Sequence, residues 1–369
     1  MALVLSSRHP IAVRQEAVEQ MIRADADAFW LAAARDIRRV DDWPMITLLA
    51  ERSAADQRNA FTPALVQSWA RPSVRYTDDA RPERLAIAQL APGQAVGETL
   101  WAQFAAPPTD AQARRVTQAA WAVLRRTQDR DTLRDLLLES PATHALHQQL
   151  ARVAPAVDEL PRDREELLRM QTLIASSTVE DWQRRRKILR LHPAAPGQPG
   201  VSLRHLPAID HAAILDRGQA DRSAMLADLS RRLAAARHVS RGANDSSQAN
   251  IRSTPDTLAD HVEALGWADL LVVQALLDAL DDAGLVASLF RQAEVDRLDR
   301  ETELGGILTW NADGQPVAQP FAPLMRRHDE IYIASDDCIE AMHTGLAHYH
   351  FHAQRHDNAD WAGPGGGDF

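Results

Sequence analysis

Three histidines alternate with apolar or aromatic residues near the C-terminus, in the stretch GLAHYHFHAQ. Successive side chains of a β-strand point to opposite faces of the sheet, so His348, His350 and His352 would share one face. A row of imidazoles on one face is a candidate set of metal ligands. The stretch therefore predicts a histidine-bearing strand and makes this end of the chain the candidate functional site.

The residues before this strand change from a helical to a strand-like pattern at about Glu301. GGILTW predicts a strand, Asn311–Gly314 is typical of a hairpin turn, and 315–321 predicts the returning strand. A third strand is expected over 329–334. Ser335 is expected to cap a short helix that ends at Gly345. Together these elements predict a small α/β domain over 299–369.

The N-terminal half is expected to be helical, because apolar residues recur at spacings of three and four and glycine is sparse. The run HPIAVRQEAVEQMI, with Pro10, Val13, Arg14, Ala17 and Met21, resembles the second helix of a HEAT-type repeat. The repeat period is irregular, so an α-solenoid and an irregular helical bundle both remain open. Either architecture indicates packing or partner binding in this region. The predicted fold class is therefore mostly α.

Composition along the chain predicts four regions. Residues 1–191 form the helical region, and 192–208, with the run PAAPGQPG, form an exposed Pro/Gly-rich linker. Residues 209–298 add further helices with a polar loop at 240–253. Residues 299–369 form the α/β domain.

Charge, cysteine content and hydropathy exclude several classes of function. A net charge of −10 argues against a nucleic-acid partner, because binding to phosphates requires a positive surface. The chain has a single cysteine, Cys338, so an internal disulfide framework is excluded. This indicates a reducing compartment, and we expect the cytoplasm. The N-terminus lacks the apolar core of a secretory signal, and the most apolar segment, 268–280, is shorter than a membrane span, so no membrane association is expected.

The tail resembles the MPN/JAMM zinc metalloprotease family. Glu303-Leu304-Gly305-Gly306-Ile307-Leu308 is similar to the first family motif, Glu-x-x-Gly-apolar-Leu. Tyr349-His350-Phe351-His352 is similar to the second motif, aromatic-His-x-His, and it follows a predicted helix as in the family. Asp368 corresponds to the family's aspartate ligand. The similar segment covers about 301–369, in the expected α/β domain.

The resemblance implies a zinc ion held by His350, His352 and Asp368, with Glu303 as the general base. It implies hydrolysis of a peptide or isopeptide bond in a protein modifier conjugate, with the helical region binding the protein partner. His348 is expected to support the ligands or to substitute for one of them. The other two nearby histidines are expected to be solvated, namely His343 and His356.

The tail also departs from the family pattern, both in single residues and in length. Phe351 and Ala353 stand where the family has Ser or Thr and Pro, and Gly365 stands where it has a serine that stabilises the oxyanion. The loop between His352 and Asp368 is long, and the family's domain would continue past Phe369. These departures leave two alternatives open: a non-catalytic helical scaffold with a degenerate or truncated JAMM-like domain, and a purely structural histidine-rich strand.

Overall fold

The structure is a computed structural model that describes residues 4, 8–40, 42–192, 198–215, 221–235, 261–299, 302–311, 313–325, 332–351 and 353. Most of these residues lie in helices, and a small antiparallel sheet lies near the C-terminus, which confirms the mostly α class. The chain divides into two compact units, Met1–Ala154 and Pro155–Phe369. The expected polar loop at 240–253, together with His352, His356, Gly365 and Asp368, falls outside the described residues.

The described part of unit 1 consists of α-helices joined by short turns. Aspartates begin several of them; for example, Asp110 accepts a hydrogen bond from the Ala113 N–H at 2.8 Å. The helices are α1 (Ile11–Ala24), α2 (Ala26–Asp36), α3 (Trp43–Ala55), α4 (Thr62–Trp69), α5 (Pro82–Leu90), α6 (Val96–Ala105), α7 (Ala111–Thr127), α8 (Arg130–Glu139) and α9 (Ala145–Val153).

The core of unit 1 combines large aromatic side chains with one buried ion pair. Trp69, Trp121 and Phe104 are fully buried. At the start of α5, Arg81 and Glu83 are also buried, and Nη2 of Arg81 lies 2.9 Å from Oε1 of Glu83. The Ser68 hydroxyl donates to the same carboxylate at 2.7 Å. Burial of a charge is tolerated here because each charged group has a hydrogen-bonded partner.

Unit 2 begins with α-helices and ends with the sheet. Its described helices and strands are α10 (Arg164–Ser176), α11 (Val179–Leu191), α12 (Leu206–Ile214), α13 (Arg222–Ala235), α14 (Trp267–Leu280), α15 (Ala283–Leu298), β1 (Gly305–Trp310), β2 (Pro316–Phe321), α16 (Asp336–Met342) and β3 (Ala347–His350). The second half of the expected linker differs from an exposed connection, because Val201 and Leu203 are buried. The carbonyl of Val201 also accepts hydrogen bonds from two backbone N–H groups.

The sheet has the order β2-β1-β3, and both pairs are antiparallel. Gly305 pairs with His350 and with Phe321, which fixes the register of β1 against both neighbours. A Cβ atom at Gly306 would overlap the carbonyl oxygen of Gln319 on β2. Glycine is therefore required at this position of the motif because the two backbones approach too closely for a side chain.

The expected third strand over 329–334 is wrong in its described part, because Tyr332–Ala334 is not a strand. A single backbone hydrogen bond, from the Leu324 N–H to the Ile333 carbonyl at 2.8 Å, links this segment to the residues after β2. The physical reason is that Tyr332 lies over one face of the sheet, against the ring of His350 and with its hydroxyl 3.4 Å from the Phe321 carbonyl, rather than beside an edge strand. The apolar run Ile331-Tyr332-Ile333 contributes its tyrosine ring to packing instead.

Within the described ranges, no helix combines the length and apolar character that crossing a bilayer requires.

Candidate metal centre and its supporting helix

The two faces of the sheet have different neighbours. Leu308 and Ala318 pack with Ala279 of α14 and Leu285 of α15, and Tyr349 contacts the same cluster. Because side chains alternate along β3, His348 and His350 lie on the opposite face. The observed strand and its register thus agree with the expectation that these two histidines share a face. The third histidine, His352, lies outside the described residues.

The histidine face is covered by α16 and by Tyr332. The Tyr332 ring lies parallel to that of His350, with the centroids 6.1 Å apart. Its hydroxyl lies 3.6 Å from Sγ of Cys338, a buried residue of α16. Burial and this hydrogen bond raise the pKa of Tyr332, so its hydroxyl remains protonated at neutral pH. The Tyr332 ring therefore covers the ring of His350, the last residue of β3.

Glu303 lies at the same end of the sheet as His350. It precedes Gly305, the register partner of His350, by two residues. Only 2% of its surface is exposed. The Phe351 N–H donates to the carbonyl of Leu304 at 2.9 Å, which extends the contact between the two segments beyond the strands. Glu303 and His350, the general base and one metal ligand suggested by the resemblance, thus lie on two paired segments at the same end of the sheet.

The described residues are compatible with zinc in their donor chemistry but do not form a complete site. Two imidazoles and a carboxylate are a donor set that zinc accepts, with a fourth position left for water. Of this set only His350 is described, and His352 and Asp368 fall outside. Among described side chains no group of three or more His, Cys, Asp or Glu could hold a metal ion.

Asp296 of α15 holds together the two segments that carry the candidate site. Its fully buried carboxylate accepts a hydrogen bond from the Leu304 N–H at 2.6 Å, next to Glu303. The other oxygen accepts from the Ala353 N–H at 3.2 Å. One carboxylate thus joins the start of β1 to the chain just beyond β3.

Gln292, one turn earlier on α15, makes a second connection of the same kind. Its amide nitrogen donates to the carbonyl of Ala318 on β2 at 3.2 Å. The Tyr349 hydroxyl donates to its amide oxygen at 2.5 Å. Burial raises the pKa of Tyr349 to about 12, so the hydroxyl remains a donor. Helix α15 therefore contacts β2 and β3 through Gln292, and the residues just before β1 and just beyond β3 through Asp296.

Neither Gln292 nor Asp296 was among the residues expected from the sequence, although a signal for them exists. They follow Leu285 and Leu289 at helical spacing, so all four positions fall on one face of α15. Polar residues on the apolar stripe of a helix indicate buried hydrogen bonds. The expectation that His343 is solvated is wrong, because only 5% of it is exposed. Burial, together with the charge of Arg169, lowers the pKa of His343.

Comparison of the chain with protein-family models, with curated proteins and with solved structures finds no match.

Proposed function

We propose that the C-terminal part of unit 2 is a zinc-dependent hydrolase of peptide or isopeptide bonds, similar to the MPN/JAMM family, and that the helical part of the chain binds the protein partner or modifier conjugate. The observation that supports this proposal is the β1–β3 register, which brings buried Glu303 and His350 to one end of the sheet. The carboxylate of Asp296 supports both segments at this end.

In this proposal His350, His352 and Asp368 hold the metal. A bound zinc ion would supply Lewis-acid chemistry that activates water and polarises the scissile carbonyl. Glu303 accepts the proton of the attacking water as the new carbon–oxygen bond forms. It then donates that proton to the amine nitrogen as the carbon–nitrogen bond breaks. A buried carboxylate suits this role because it is shielded from bulk water and held in one position.

The proposal is tested by the zinc content and activity of the full-length protein purified without chelators. We expect about one zinc ion per chain, as in single-metal catalytic sites. The double variant His350→Ala/His352→Ala should lose the metal, whereas His9→Ala, which removes an exposed histidine of unit 1, should keep it. Glu303→Gln should retain zinc and lose about 10²- to 10⁴-fold in the rate of hydrolysis of a peptide and isopeptide panel.

Two results would overturn the proposal: a protein without zinc, or a double variant that binds zinc as tightly as the unchanged protein. Zinc bound with full stoichiometry but without hydrolysis of any substrate would favour the second candidate function, a non-catalytic helical scaffold with a degenerate JAMM-like domain. Gly365 favours this candidate, because glycine has no hydroxyl to donate to a developing oxyanion.

A further inference from the structure

Unit 2 contains a cavity of about 400 Å³ that adjoins the histidine face of the sheet. It lies between α10, α14 and the turn from α16 to β3, and His348 contributes to its wall. Ligand pockets commonly have volumes of this order and combine apolar walls with a few polar groups. The apolar wall is formed by Leu265, Val272, Val273, Met342, Leu346 and Ala347.

The acidic side chain in the wall, Asp269, already has partners on both oxygens. Its Oδ1 lies 2.9 Å from Nη2 of Arg204 and 3.1 Å from Nε2 of His205. Its Oδ2 accepts from the Gly266 N–H at 2.9 Å, at the start of α14. The His205 ring is oriented by the Ser202 N–H, which donates to Nδ1 at 2.9 Å. Asp269 therefore fixes Arg204 and His205 in the wall.

Arg169 differs from Arg204, because its guanidinium has no hydrogen bond or ion pair within the described part of the chain. Burial lowers the pKa of Arg169, and nearby Arg204 lowers it further, while Glu165 and Glu166 oppose this change. The Glu166 carboxylate is itself engaged, since it accepts from the Arg162 N–H at 2.5 Å. An arginine keeps its charge even when burial removes water from it. A partly buried guanidinium lining a cavity therefore favours an anion inside it.

We propose that this cavity binds a small amphipathic anion, with a carboxylate or phosphate head on Arg169 and Arg204 and an apolar body against Val272, Val273 and Leu346. Guanidinium groups recognise both heads through paired hydrogen bonds. The apolar wall would bury the body of the ligand, which contributes affinity in proportion to the apolar area removed from water. This proposal does not rest on the zinc chemistry of the neighbouring site.

Calorimetric titration of the full-length protein tests the proposal with four probes: octanoate, octyl phosphate, 1-octanol and inorganic phosphate. Octanoate or octyl phosphate should bind saturably, and the tighter of the two identifies the preferred head. Octanol, which lacks the charge, and inorganic phosphate, which lacks the apolar body, should each bind at least about tenfold more weakly, since each lacks one part of the recognition.

Two substitutions separate the head from the body. Arg169→Gln should weaken binding of the charged octyl probe about tenfold or more and leave that of octanol unchanged, because a hydrogen bond between charged groups is lost. Arg164→Gln, on the exposed side of the same helix, is the matched control and should change neither. Val272→Trp should block the octyl probes by filling the apolar part, with circular dichroism and thermal unfolding reporting whether the variant is folded.

Equal affinity for octanol and octanoate would overturn the role of the two arginines. Binding of inorganic phosphate alone would overturn the apolar part of the proposal. Equal loss of affinity in Arg164→Gln and Arg169→Gln would show that general charge, rather than the cavity, attracts the ligand. Failure of all four probes to bind would overturn the site itself.

Discussion

Replacement of Asp296 tests whether one buried carboxylate supports the candidate site. In Asp296→Ala the N–H groups of Leu304 and Ala353 both lose their acceptor. A fully buried donor without a partner costs about 1–3 kcal/mol. Because Leu304 and Ala353 are half-buried, the two together should reduce local stability by at most about 2–6 kcal/mol. Asp296→Asn keeps one acceptor oxygen but turns an N–H₂ donor toward the other N–H. It should cost roughly half as much.

Hydrogen exchange measured by mass spectrometry locates this effect. Peptides covering 302–310 and 347–353 should exchange faster in Asp296→Ala, by at most about 30- to 10⁴-fold, the factor that corresponds to 2–6 kcal/mol. Peptides of unit 1 should keep their protection, because α15 and the sheet belong to unit 2. A local readout is preferable to a single melting temperature, since a chain with two compact units need not unfold in one step.

Glu294→Ala is the matched control on the same helix. The Glu294 side chain is 57% exposed and pairs with Arg297 at the surface. Solvent screens ion pairs between exposed side chains, so this variant should leave exchange in the sheet nearly unchanged. Equal exchange in Asp296→Ala and Glu294→Ala would refute the argument that Asp296 holds the two segments. Asp296→Asn behaving like the unchanged protein would refute the requirement for two acceptor oxygens.

Two further predictions concern unit 1. Glu83→Gln should reduce the free energy of unfolding of unit 1 in urea by about 3–5 kcal/mol, because buried Arg81 would lose its counter-charge. The control, Asp79→Asn, changes a 91% exposed side chain and should cost less than about 1 kcal/mol. Similar losses in both variants would contradict the reasoning. Burial, and secondarily His144, lowers the pKa of His147, so the folded state disfavours the protonated ring. The contribution of the neutral His147 ring to the free energy of unfolding should be fully present above the unfolded-state pKa of about 6.5 and should decrease as the pH falls below it. Urea unfolding measured from pH 8 to 5 checks this. An unchanged pH dependence in His147→Phe would contradict it.

Local patterns predicted the elements that depend on neighbouring residues in the chain. The run GGILTW and the turn at Asn311–Gly314 predicted β1 and the hairpin, because strand periodicity and turn chemistry are local properties. The Ser335 cap was also predicted, and its hydroxyl accepts from the Cys338 N–H at 3.3 Å. The segment 329–334 shows the limit of such patterns. Its apolar character fits a strand, but only the packing of the whole domain determines whether the segment joins an edge or covers a face of the sheet.

Burial of charged residues was the property that sequence patterns predicted least well. Arg185 belongs to a run of four basic residues, Arg184–Lys187, yet it is buried and donates to both oxygens of Asp210, at 3.0 and 2.6 Å. Asp210 lies 25 positions further along the chain, on α12. No local spacing links the two residues. A charged residue can be recognised as buried only when the distant partner that compensates its charge is known.

The polar residues on α15 show why the candidate site depends on packing as well as on its motifs. A one-residue shift of β3 against β1 would move His348 and His350 to the opposite face of the sheet, because side chains alternate. Apolar burial opposes such a shift, because Ala347 and Tyr349 would leave their cluster. Hydrogen bonds from α15 oppose it further, because they connect specific atoms. Gln292 joins β2 to Tyr349 of β3, and Asp296 joins the two segments around Glu303 and His350. The register that brings the glutamate to the histidines is therefore specified from α15, by residues that belong to neither motif.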